Sequence, residues 1–238
     1  MVAAPAAADA VARAKRLPRL GVGLHLVLME RDGASQSHLV RAGLRFFLSP
    51  AARRILAADI RAQFEAFRAT GLTLDHVNGH QHVHIHPTIA RLVVEIGRDY
   101  GLRAVRVPFE PAATLRQAFP GERYRAPAWS PVLASLRRRL ARAGLVTTGQ
   151  VFGIAWSGAM VEDRLMALLP HLPDGDSEIY CHPATAGAAL VPGYRHADEL
   201  AALLSPLVRE RIAALGIRPV TYAELTAAGA PARAAPAG

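Results

Sequence analysis

Lysine, cysteine and aromatic side chains are all scarce in this sequence, and each scarcity removes a class of explanation. Cys181 is the only cysteine of 238 residues, which excludes an internal disulfide and agrees with a reducing compartment. Aromatic residues make up 6% against 51% hydrophobic residues overall, so the core must be mostly Ala, Leu and Val, as in helices packed on buried parallel strands. Lys15 is the only lysine, so nearly all of the formal +9 charge is arginine in an Ala-, Pro- and Gly-rich background. Coding bias alone produces such a composition, and nucleic acid is not an expected partner despite the charge. No apolar run reaches the roughly 18 residues of a membrane span, and the N-terminus shows no basic region ahead of an apolar stretch, so a secretory signal is not supported. Gly21-Val22-Gly23 lacks the third glycine of a dinucleotide fingerprint. There is no internal repeat.

What the chain does have is histidine. Half of its ten histidines fall within eleven positions of the stretch Asp75-His76-Val77-Asn78-Gly79-His80-Gln81-His82-Val83-His84-Ile85-His86-Pro87. Read as a strand of period two, the stretch places His76, Asn78, His80, His82 and His84 on one face. A face of imidazoles is a poor core. Neutral imidazole offers a lone pair to a zinc-like ion without the desolvation cost of a charge, so metal binding is the leading expectation, against a polar strand end with hydrogen-bonded histidines.

Taken in order, residues 5–17 read as an Ala-rich helix, and 20–29 as a strand buried on both faces with His25 set in it. Residues 30–48 are a polar connection. Ser49-Pro50 supplies an N-cap and an N1 proline for a helix to about Thr70. A strand over 72–78 follows, then a helix from Pro87 closed by Gly101, then a short strand over 102–108. Residues 109–128 form a loop with a short helix, and Ser130-Pro131 opens another helix, whose Arg137-Arg138-Arg139 and Arg142 cluster reads as a solvated helix face ahead of a lipid or phosphate contact. Strands are expected near 151–156, 177–181 and 219–222, and helices over 161–169 and 197–215. The tail from 227 has no means of burying itself.

Strands alternating with helices imply an α/β fold with a parallel sheet, and roughly 200 to 250 residues suit one barrel domain. His25, His80, Arg106, Trp156 and His182 each fall in or just after a different strand, where a (β/α) barrel gathers its catalytic groups. The expected architecture is therefore a barrel over 1–226 and a disordered tail over 227–238. Two imidazoles on a hydrolase-type ion leave positions for water. His182 is then the candidate acid, with Glu178 to orient it, against a purely structural histidine, and Arg106 holds a carboxylate or steadies negative charge, against a surface ion pair.

Gly23-Leu24-His25-Leu26, the Asp75 to Pro87 segment and Cys181-His182-Pro183, in this order and spacing, resemble the YdjC-like carbohydrate deacetylases, which remove N-acetyl groups from amino sugars. The segments around Arg106 and Glu110, around Trp156, and over Gly193-Tyr194-Arg195-His196 are more similar to the hopanoid-biosynthesis, HpnK-type branch. The resemblance implies a distorted (β/α) barrel of about seven strands and one divalent ion, zinc or magnesium, held by an Asp together with His25 and His80. It implies His182 as general acid, and Asn78, His84, Glu110, Trp156 and Glu178 as substrate-binding positions. The implied substrate is a small-molecule or lipid-linked amino sugar, an N-acetylglucosaminyl hopanoid in that branch. A cytoplasmic enzyme follows, peripheral at the inner membrane face, with a transient membrane-surface contact and a homodimer as further expectations. The family's Asn-Ala-Asp-Asp-Phe-Gly motif, which supplies the acidic ligand and the base, is not in this sequence, so its first βα unit of roughly 30 residues is expected to be missing. A catalytically silent sugar- or lipid-binding module is the alternative reading, and an amidohydrolase-type enzyme acting on another amide a weaker one.

Overall fold

The computed structural model describes residues 2, 4–28, 49–124, 129–185 and 191–229. In chain order the elements are α1 (Ala7–Ala14), β1 (Val22–Leu26), α2 (Pro50–Ala69), β2 (Leu74–Gly79), a 3₁₀ segment His80–Ile85, and α3 (Pro87–Gly97). Then come α4 (Ala112–Ala118), α5 (Ser130–Arg142), β3 (Gln150–Phe152), α6 (Glu162–Leu168), β4 (Ser177–Ile179), α7 (His196–Leu204), α8 (Pro206–Ala214) and α9 (Tyr222–Ala227). The expected connection over 30–48 lies outside the described residues. The described residues fall into two compact units, one drawn from 1–106, 131–147 and 221–229, the other from 107–130 and 148–220.

In the first unit β1 and β2 pair in parallel, with His25 opposite Asn78 and Leu26 opposite Gly79. Single parallel bridges extend this row from Val77 to Val105 and from Ala104 to Val146. Leu24, Leu26, Val77, Ala104 and Val105 are buried along it. Ser49 caps α2 through its side chain, with Pro50 in the first turn, and Leu56, Ile60, Phe64 and Phe67 form its buried stripe. This 3–4 spacing puts all four on one face. The Gln63 amide bonds both the N–H and the C=O of Val27, at 3.0 Å each, and ties α2 to the end of β1.

The second unit pairs β3 with β4 in parallel, Phe152 opposite Ile179. Its core joins Leu115 of α4, Phe152, Met160, Leu165 and Leu168 of α6, Ala202 of α7 and Val208 of α8.

Four expectations need correction. No closed barrel forms among the described residues; the strands make two two-stranded parallel sheets. The histidine-rich stretch is not one strand. It leaves the sheet at Gly79, and Gln81 and His82 take left-handed backbone angles (φ 48° and 56°), so the period-two face ends before His80. Gly79 permits the reversal, because a Cβ there would stand 2.9 Å from the His84 ring. The helix expected over 197–215 breaks at Ser205, whose hydroxyl accepts from the Val208 N–H while Pro206 opens a new helix; Pro206 cannot donate the bond a continuous helix needs. The strand expected over 219–222 is a helix start, since Thr221 and Glu224 form a reciprocal capping box.

Candidate functional site

The sheet register of the first unit brings the chemistry together. His25 and His80 approach edge to face with ring centres 5.8 Å apart. One is the penultimate residue of β1, the other the first residue beyond β2. His25 Nδ1 lies 2.6 Å from Asn78 Oδ1, Asn78 Nδ2 lies 3.3 Å from His76 Nε2, and His76 Nδ1 lies 2.9 Å from Asp75 Oδ2. The Ala223 N–H of α9 donates to the other Asp75 oxygen at 2.8 Å, and Tyr222 stacks on His76 at 4.5 Å.

Burial is the main influence on His25 and, with the charges of His80 and Arg106, holds it down at about 4 despite its bond to Asn78. The ring is therefore neutral at physiological pH and carries a lone pair. Burial raises the Asp75 carboxyl, but the bonds from His76 and the α9 backbone outweigh it and hold the group below its ordinary value. Asp75 is thus an anion in the chain of contacts.

Arg106 follows the bridge at Val105, and its charge reaches both His25 and His84. His84 is fully buried and donates from Nε2 to the Arg106 carbonyl at 2.9 Å. Burial keeps it neutral, pushed down to about 3. In this structure His84 holds the Arg106 backbone from inside the core, and Asn78 gives its amide to two imidazoles; both had been expected to touch substrate.

The two imidazoles suit a shared ion. Nitrogens about 2.0 Å from zinc put two ring centres about 5–6 Å apart, which matches the observed spacing. Among the described residues no group of three His, Cys, Asp or Glu forms a metal-holding set; the pair could offer two ring nitrogens to such an ion.

The remaining expected residues lie in the second unit. The His182 N–H donates to Glu199 Oε2 at 2.7 Å, while Glu199 Oε1 takes the Met160 N–H at 2.8 Å. The His182 carbonyl accepts from His196 Nδ1, and the His182 ring sits between Tyr180 and Tyr194. Glu199 is wholly buried. Its role is hidden at the level of sequence, because an acid in the first turn of α7 reads simply as complementing the helix dipole.

Glu110 is buried and accepts from three successive backbone N–H groups, Gly153, Ile154 and Ala155, and from the Tyr124 hydroxyl. Burial raises its pKa, and these four donors offset part of the rise. It therefore organises the loop after β3. Trp156, on that loop, donates to Glu122 at 2.9 Å and lies under the Arg164 guanidinium at 4.4 Å. With Phe119 and Leu115 it lines a cavity of about 250 Å³. Glu178 is half-buried in β4, in register with Val151. Burial and the Glu199 charge push the Cys181 thiol up to about 11, which leaves it protonated and excludes a thiolate nucleophile.

These features define an α/β protein with a pair of imidazoles at the ends of two adjacent parallel strands. The chain belongs to the YdjC-like protein family, whose model matches residues 1–214. It is 30% identical over 231 residues to a carbohydrate deacetylase of Geobacillus stearothermophilus, covering 92% of this chain and 82% of that protein. It is 28% identical over 228 residues to a carbohydrate deacetylase of Brevibacillus brevis, covering 91% and 82%. Its fold is similar to the crystal structure of an Enterococcus faecalis V583 protein that bears the provisional description cellobiose-phosphate cleavage protein, with a TM-score of 0.66, 20% identity, and coverage of 94% and 85%. That likeness concerns the fold alone.

Proposed function

We propose that this protein is a metal-dependent carbohydrate deacetylase that hydrolyses the N-acetyl group of an amino sugar, with an N-acetylglucosaminyl hopanoid as the substrate of its branch. The single observation that supports the reading most is the side-by-side His25–His80 pair in a chain that resembles carbohydrate deacetylases over nine-tenths of its length. His25 and His80 would hold one divalent ion. Such an ion, when bound, supplies water acidified towards neutrality and an electrophile for the acetyl carbonyl.

The chain's own residues do the rest. The neutral state of His25 keeps its lone pair available without a proton to expel. Arg106 adds positive charge beside the pair, where negative charge develops on the acetyl oxygen. The reaction adds water across the amide: a C–O bond forms, the C–N bond breaks, and acetate and a free amine leave. His182 is the proposed donor of the proton that the departing amine nitrogen takes up. Trp156 and Glu178 are the proposed sugar contacts. Glu110 serves them by fixing the Gly153–Ala155 backbone.

No helix among the described residues is long and apolar enough to cross a membrane. The exposed Arg138, Arg139 and Arg142 of α5 provide the proposed transient contact with an anionic lipid surface, at the cytoplasmic face where a lipid-linked sugar is met. The test is acetate release, with zinc or magnesium added, from N-acetylglucosaminyl oligosaccharides and from an N-acetylglucosaminyl lipid. Release from either supports the reading, with preference for the lipid supporting the branch. A protein that binds the ion and releases no acetate from any of them overturns it.

A further inference from the structure

We propose that Asp75, His76 and Asn78 form a hydrogen-bond relay that fixes His25 as its Nδ1–H tautomer, so that Nε2 is the nitrogen offered to a divalent cation. The role towards a cation rests on the function proposed above, whereas the tautomer does not.

The direction of each bond follows from its neighbour. Asp75 is the fixed end: one oxygen takes the Ala223 N–H at 2.8 Å and the other faces His76 Nδ1 at 2.9 Å. An ionised carboxylate only accepts, so His76 Nδ1 carries the proton. A His76 ring holding that one proton presents an acceptor at Nε2, 3.3 Å from the Asn78 amide nitrogen. The Asn78 amide is thereby turned with its oxygen towards His25. Since Oδ1 only accepts, the 2.6 Å contact requires a proton on His25 Nδ1. A neutral imidazole with Nδ1–H has its lone pair on Nε2. Three side chains thus carry a preference set by Asp75, across His76 and Asn78, to the ring of a different strand. Reversing the Asn78 amide would require a second proton on His76 and would put the His25 proton on Nε2, which is the competing state.

Burial supports the relay. Asp75 and Asn78 are 6% and 7% exposed, so water competes little for these bonds. Tyr222 covers the His76 ring, and Gly23 leaves it room, since a Cβ there would stand 2.6 Å from its Cε1.

The experiment uses the whole, metal-free chain labelled with ¹⁵N-histidine, and reads the tautomer of each ring from two-bond ¹H–¹⁵N correlations. In the unsubstituted protein His25 shows a pyrrole-type Nδ1 and a pyridine-type Nε2. In Asp75→Asn the Ala223 N–H keeps the amide oxygen, so the amide nitrogen faces His76 and donates to it. The His76 proton then moves to Nε2, the Asn78 amide turns over, and His25 changes to the Nε2–H form. Zinc affinity, read by chelator competition, falls with it by about 10- to 100-fold, the usual effect of losing an outer-shell partner. His76→Phe keeps the stack on Tyr222 and removes both ring nitrogens, which leaves His25 a mixture of tautomers. A purely structural role for Asp75 would lower the melting temperature and leave the His25 pattern unchanged. An Nε2–H pattern for His25 in the unsubstituted protein, or an unchanged Nδ1–H pattern in both variants, overturns the relay. Neither spectrum needs metal or turnover, so the relay and the deacetylase reading fail separately.

Discussion

The two units each hold a histidine in place, and they grip opposite ends of the residue. His25 is held by a ring nitrogen, through Asn78. His182 is held by its main chain, its N–H on Glu199 and its C=O on His196. A bond to the ring decides which nitrogen keeps its proton, and so it sets the chemistry of the residue. Bonds to the main chain decide where the residue sits and say nothing about its proton. The first arrangement suits a ligand, whose lone pair must face one way. The second suits a group that gives up a proton and takes it back, as the proposed acid must.

This contrast predicts different failures. Removing a proposed ligand, by His25→Ala or His80→Ala, should cut kcat/KM for acetate release by about 10³-fold or more, about 4 kcal/mol of transition-state stabilisation. The melting temperature of the metal-free protein should change little. Loss of folding in place of loss of zinc binding would break the comparison, because it would make the pair structural. Glu199→Ala should fail the other way. It strips acceptors from the N–H groups of Met160 and His182, and leaving such donors unsatisfied costs about 1–3 kcal/mol each. Urea unfolding should therefore register about 2–6 kcal/mol, with Glu199→Gln recovering part of it.

A third prediction concerns pH and the first unit. His84 has a folded pKa of about 3, below the ordinary 6.5 of an exposed histidine. Its contribution to stability is present in full above pH 6.5 and is lost as pH falls from there towards 3, because the unfolded chain binds a proton that the folded chain refuses. His25, at about 4, acts in the same direction. The urea midpoint should fall steadily between pH 7 and pH 4, and His84→Gln should make that slope shallower. A midpoint that does not move with pH would show that these rings are not held neutral. The smallest effect is expected at the exposed Asp9–Arg13 pair of α1, 2.7 Å apart with both side chains about two-thirds exposed. Arg13→Ala should leave the melting temperature unchanged within error, since solvent screens such pairs.

Some of this was legible in the sequence because it rests on local rules. Ser49-Pro50 opens α2 because a hydroxyl and a proline satisfy a helix start wherever they stand together. The same signature at Ser205-Pro206 divides a stretch that reads as one helix by its apolar spacing alone. His80 stood out because five histidines crowd one short stretch, and His25 gained its role from the family resemblance, since alone it reads as a buried, hydrogen-bonded ring. The strand register of β1 on β2, which no local pattern encodes, is what sets them side by side. The roles of Asp75 and Glu199 were not legible at all. Each bonds a partner far along the chain, Ala223 for Asp75 and His182 for Glu199, and sequence spacing gives no hint of such pairs. The period-two reading of the histidine stretch failed for a related reason: Gly79 lets the chain turn, and His84 enters the core as a consequence.

The central claim, that His25 and His80 grip one ion between them, is most directly tested by anomalous diffraction at the zinc edge from crystals of the zinc-loaded protein. A single peak within bonding distance of a nitrogen of both rings is the predicted result. A peak bound to other side chains, with neither ring in reach, would contradict it.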